Sequence, residues 1–464
     1  MLFNSIEFLI FFPIVCLLYF ILPHRVRHIW LIISSLIFVA VSDPFAVVFL
    51  LLVTMITWGM GLCIARGKSS GKGSEKAFLA AGLLVIFGLL IYLKYIPYLL
   101  SLFKLGEAEL ILPIGISFYT FSTASYLIDV YKGKCKPCTN ILKYAAYATF
   151  FPTILAGPIE RATNMLPQFE EEHYFDTDRA KDGLKLILWG YFLKMVIVSR
   201  LTILTEYVYD KNNSFTGICV LIAILLYSFQ IYCDFAGYSF IAIGCAKICG
   251  FNVMQNFRQP YLASSVAEFW RRWHISLSSW FKDYLYIPLG GNRKGTFRKY
   301  LNVMIVFAVS GIWHGANVTF LIWGLLNGAY QVIGANLKLK DFPAWLSKIW
   351  TYLLISFTWV FFSAPDFSEA VSIIGRAFAK GSLKNFNPGM IFEMGLGVNN
   401  LIFVLIALLI LFAADIICEK KKCDVSGLLN NTAWPLRLAV YWVIVTMILF
   451  STNLSTQEFL YMNF

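Results

Sequence analysis

The residue of this chain best suited to chemistry is a histidine held between glycines in an apolar run. It is His314, in Ser310-Gly-Ile-Trp-His-Gly-Ala-Asn, with strongly apolar stretches at 303–309 and 318–323 on either side. A desolvated, neutral imidazole is a good general base for a hydroxyl nucleophile, because burial disfavours its charged form. Gly311 and Gly315 permit close approach of another backbone or a substrate. If the segment is helical, Asn317 lies three residues on, on the same side, and can orient the imidazole. Trp313 is the adjoining supporting residue. The competing assignment is a histidine bonded to a neighbouring helix.

A second histidine, His274, lies in Glu268-Phe-Trp-Arg-Arg-Trp-His-Ile-Ser-Leu-Ser-Ser-Trp-Phe-Lys-Asp-Tyr-Leu. At about 100° per residue this run separates into two faces. Phe269, Trp270, Trp273, Leu277, Trp280, Phe281, Tyr284 and Leu285 fall on one half. Arg271, Arg272, Ser276, Ser278, Ser279, Lys282 and Asp283 fall on the other, and Ile275 breaks the pattern. The pattern predicts one interfacial amphipathic helix. His274 falls on its apolar half, as a bonded core residue or a site residue facing the interior. Arg271 and Arg272 suit phosphate, from lipid or from a nucleotide-bearing donor, and Arg293 is placed with them.

Other chemistries lack their residues. There is no G-x-S-x-G elbow, H-E-x-x-H, Walker loop or paired intramembrane carboxylate. Asp129 and Asp234 are lone acids at segment edges, suited to structural hydrogen bonds. Cys135 and Cys138 form a lone C-x-x-C, weak support for zinc, and no metal site is expected.

The elements that must position these groups are membrane helices. Hydrophobic residues make up 59% of the 464 and charged residues 14%, with mean hydropathy +0.70. A soluble domain of this size needs more charge to cover its surface. Each crossing takes about 20 apolar residues, so roughly ten to twelve membrane helices fit, some short or re-entrant. No separate soluble domain stands out, so residues 1–464 are taken as one all-α polytopic membrane domain. Separate apolar segments are expected at 184–204, 217–233 and 235–250, and one at 144–156. Residues 159–182 are expected to be an extramembrane loop, and 366–380 an amphipathic surface helix. The net charge of +12 sits in short basic loops, the positive-inside pattern, which suits anionic lipid and excludes nucleic acid as the partner.

At these motifs the sequence resembles the membrane-bound O-acyltransferase family, in the bacterial branch that O-acetylates alginate, peptidoglycan or related polysaccharides. The likeness runs from Met-Leu-Phe-Asn-Ser at the start through Pro113-Ile-Gly-Ile-Ser-Phe-Tyr-Thr-Phe, Ala156-Gly-Pro-Ile-Glu-Arg and Asp234-Phe-Ala-Gly-Tyr-Ser. It continues in the tryptophan-rich run from Glu268, in Asp283-Tyr-Leu-Tyr-Ile-Pro-Leu-Gly-Gly-Asn-Arg and in Gly311-Ile-Trp-His-Gly-Ala-Asn. The resemblance implies a helical bundle around a central tunnel, a catalytic His314 and a functional His274. It implies no bound cofactor, with cytosolic acetyl-CoA or another acyl thioester as donor substrate. An extracellular acetyltransferase or esterase-like protein is the implied partner and a polysaccharide the acceptor, at the bacterial inner membrane. Phe240 stands where similar proteins carry an acid.

The terminal Glu458-Phe-Leu-Tyr-Met-Asn-Phe resembles an aromatic motif of the same branch. By that likeness Tyr461 is either an acyl relay or an interfacial anchor. Two other functions stay open: D-alanyl transfer to teichoic acid, and a transporter or flippase with no covalent chemistry.

Overall fold

The computed structural model describes residues 1–71, 73–103, 105, 112–336, 343–379 and 387–452. Tyr461 lies outside them. Among the described residues there is no strand, and eight helices are long and apolar enough to cross a membrane. Two shorter apolar helices, Ile6–Ile21 and Trp434–Leu449, accompany them. Leu9, Phe45, Leu84, Leu409 and Trp442 are exposed on such helices. A surface of that kind is stable only against lipid. The chain is a multi-pass membrane protein.

It divides into two compact units. The first comprises Met1–Ile187, Ser239–Gln255 and Ser279–Tyr284. Its helices His24–Ser42 and Pro44–Ser70 part at Asp43, whose carboxylate accepts from the Phe45 and Ala46 amides at 3.0 and 3.2 Å. Aspartate at the N-cap and proline at the first helical position are the expected start signals. The single segment expected over 144–156 is instead two short helices, Ile141–Ala148 and Phe151–Ile154. Pro152, in the first turn of the second, lacks an amide with which to continue the first. The loop expected at 159–182 is also corrected: it contains the helix Ala162–Gln168 and the start of Thr177–Tyr191. Asp129 has a structural task, accepting the Tyr284 hydroxyl at 2.7 Å.

The second unit comprises Leu188–Tyr238, Asn256–Ser278 and Leu285–Phe464. Here a π-helical stretch, Phe192–Val198, runs into the helix Ser199–Tyr209. The two segments expected at 217–233 and 235–250 form one 32-residue helix, Ile218–Cys249. Asp234 does not interrupt it, because the buried Lys194 ammonium pairs with its carboxylate. Each charge alone would be costly there. The helices Gly295–His314 and Val318–Asn336 meet through Gly311 and Gly324. A methyl group on Gly311 would overlap the Phe320 carbonyl, and one on Gly324 the carbonyl of Phe307. The expected amphipathic helix appears as Phe367–Ala377, capped by Asp366 and burying Ala370, Ile373 and Ala377.

Candidate active site

The tryptophan-rich run does not form the continuous helix that its periodicity predicts. It makes Val266–Arg272, breaks, and resumes as Ile275–Phe281. The start is a variant of the capping box: the N-cap Ser265 accepts the Glu268 amide at 3.2 Å, and Glu268 reaches one residue further back to accept the Ser264 amide at 2.9 Å. The break has a visible cause. Arg258 donates its amide to the Arg272 carbonyl at 3.0 Å, and the Ile275 amide goes to the Asn256 carbonyl at 2.9 Å. The Asn256 side chain then accepts the Ser276 hydroxyl at 2.6 Å. These bonds draw the backbone out of the helix, and His274 takes φ = 42°, in the left-handed region. A non-glycine residue there costs on the order of 1–3 kcal/mol, a strain often found at functional positions.

His274 is 1% exposed. Phe235 meets its ring edge to face, with centroids 4.6 Å apart. Burial pushes the imidazole down to about 3, so the ring is neutral at physiological pH. A neutral imidazole offers one N–H donor and one acceptor.

His314 is the last residue of Gly295–His314 and is 4% exposed. Three aromatic rings enclose it: Trp313 at 4.7 Å, Trp323 at 5.0 Å and Phe362 at 5.2 Å. The Trp313 ring also stands 6.3 Å from the His274 ring, so one indole contacts both histidines. Trp270 donates its indole N–H to Asn327 at 3.1 Å, tying Val266–Arg272 to Val318–Asn336. Such a setting suits acyl transfer. It provides a desolvated imidazole for proton removal, with apolar walls that keep water from a thioester.

Comparison with known proteins identifies the family. Residues 138–361 match the model of the membrane-bound O-acyltransferase family. The chain is 37% identical over 398 residues to the probable alginate O-acetylase AlgI of Pseudomonas putida, covering 82% of this chain and 81% of that protein. The chain belongs to the membrane-bound O-acyltransferase family. It is 34% identical to the peptidoglycan O-acetyltransferase of Helicobacter pylori, over 81% of this chain and 79% of that one. Likeness to the teichoic acid D-alanyltransferase of Bacillus subtilis is lower, 28% over 55% of this chain and 68% of that protein. Within a family of acyltransferases the chain is an enzyme, and transport without covalent chemistry is set aside.

In this O-acyltransferase the expected residues are only partly gathered. His274, Trp313 and His314 come together. Asn317 does not orient His314, because the helix stops at His314 and Gly315 is extended. Its side chain donates to the Pro365 carbonyl and accepts the Thr319 amide at 3.2 Å, opening the next helix. Arg271 and Arg293 are exposed. Arg272 is not: it is buried and paired with Glu268 and Glu419. The periodicity places it on the polar half, suited to phosphate. Lys194, Phe235 and Glu419 were missed. Lys194 did carry a signal, as a cation near the middle of the apolar stretch 184–204, which also holds Lys185 and Arg200.

Proposed function

We propose that this O-acyltransferase moves an acetyl group from cytosolic acetyl-CoA across the bacterial inner membrane for O-acetylation of a cell-surface polysaccharide or peptidoglycan. The observation that carries the proposal is the enclosure of His314 by aromatic rings, one of which also contacts the buried His274. His314 accepts the proton of an acceptor hydroxyl, whose oxygen attacks the thioester carbonyl. The carbon–sulfur bond breaks, and the thiolate takes up a proton to leave as free CoA. His274, neutral and fixed, orients a reactant. Arg271 and Arg293 meet the donor phosphates. The acetyl group passes outward to the glycan or to an extracellular acetyltransferase partner. Tyr461 is the proposed relay for that last step. The 1–464 chain acts as one membrane enzyme without a separate soluble domain.

The O-acetylating relatives are more similar and cover more of the chain than the D-alanylating one, which favours acetyl over D-alanyl transfer. Membranes containing the protein, given acetyl-CoA labelled in the acetyl group, should release free CoA and form base-labile ester on polysaccharide. Release of no CoA, with consumption of a D-alanyl-loaded carrier protein instead, would favour the other donor.

A further inference from the structure

We propose that Glu419 is a positioning residue for His274, acting through Arg272; this rests on the assignment of His274 and His314 to the transfer centre. Glu419 lies near the end of the 24-residue helix Val398–Lys421, and Arg272 ends the seven-residue helix Val266–Arg272. The two are 147 positions apart in sequence. Both terminal guanidinium nitrogens of Arg272 reach the two Glu419 oxygens, each at 2.7 Å. Glu268 accepts from Nε at 3.0 Å and from Nη2 at 2.6 Å. A bidentate pair fixes the plane of the guanidinium as well as its distance. Exposed ion pairs contribute little, but the Arg272 side chain is only 8% exposed and all three of its nitrogens are engaged.

The position of this clamp matters more than its strength. A seven-residue helix cannot hold its own orientation. Arg272 lies two residues before the left-handed backbone of His274. One turn back on the long helix, Asp415 accepts the Tyr232 hydroxyl at 3.4 Å, and the Tyr232 ring contacts Trp273 at 6.1 Å. Thus Val398–Lys421 restrains both residues that precede His274, directly at Arg272 and through Tyr232 at Trp273. Neither Glu419 nor Asp415 needs to touch a reactant. Loss of the clamp should therefore lower turnover and leave donor binding alone.

The test is CoA release by the purified full-length protein, with kcat and donor KM measured separately. Glu419→Ala should lower kcat at least tenfold with KM for acetyl-CoA within twofold. Arg272→Met should do the same, and Arg272→Met with Glu419→Ala should fall no further than Arg272→Met alone. Lys420→Ala, at the exposed neighbour, should match the wild type. The near-isosteric Glu419→Gln decides the matter if Glu419→Ala does not fold, and it too should lose kcat rather than raise KM. Normal kcat in Glu419→Gln or Glu419→Ala, or independent losses in the double variant, overturns the proposal. An inert wild type or a fully active His314→Ala overturns instead the functional assignment beneath it.

Discussion

The indole of Trp313 stands 4.7 Å from the imidazole of His314, with 68° between the ring planes. Trp313 also faces His274, so it is the side chain through which the two histidines share one apolar wall. A displacement of about 1 Å at a reacting group can cost on the order of a hundredfold in rate. Trp313→Leu should therefore lower kcat for CoA release by about tenfold to a hundredfold. Trp313→Phe, which keeps an aromatic face, should lose less. Equal activity in Trp313→Leu and wild type would remove the indole from the site.

Lys194 and Asp234 are buried together, and removing one leaves the other charge unpaired. Such a change costs about 3–5 kcal/mol, whereas replacing both with apolar groups costs far less. Lys194→Met and Asp234→Leu should each lower the melting temperature in detergent markedly, and the double variant should recover most of the loss. Additive destabilisation in the double variant would show that the two residues act separately.

Gly311 leaves no room for a side chain against the Phe320 carbonyl. Gly311→Ala should force the helix pair apart at a cost of about 1–3 kcal/mol, and His314, one turn away, should shift with it. Thermal melts and CoA release should fall together. An Ala variant with normal stability and turnover would contradict the close packing.

The buried His274 makes stability depend on pH. Its folded value of about 3 lies below the ordinary imidazole value of 6.5, so between them the unfolded chain binds more protons. Stability should fall as pH drops through that window, by on the order of 2 kcal/mol between pH 6.5 and 5 from this group. His274→Gln should remove that share. Melts at pH 7 and pH 5 check it: an equal pH-dependent loss in variant and wild type would contradict the burial of a neutral ring.

Much of the membrane architecture was legible from apolar length alone, because spans such as Pro44–Ser70 and Val398–Lys421 need no partner to be recognised. His314 and His274 were legible as polar residues in apolar surroundings, and the family motifs linked them. What periodicity could not reveal was long-range compensation. Asp234 read as a segment edge because its partner lies 40 residues away. Arg272 read as a phosphate-facing residue of the polar half because Glu419 lies 147 residues away. The break at His274 depends on Asn256 and Arg258, which take over amide and carbonyl groups that a continuous helix would use. Asn317 was misplaced for a related reason: helical spacing was carried past His314, where the extended Gly315 ends it.

The most direct test of the account is transfer by purified His314→Ala protein supplied with acetyl-CoA. The account predicts that CoA release falls to background while the melting temperature and acetyl-CoA binding stay near those of the wild type. A folded His314→Ala protein that releases CoA at close to the normal rate would contradict it.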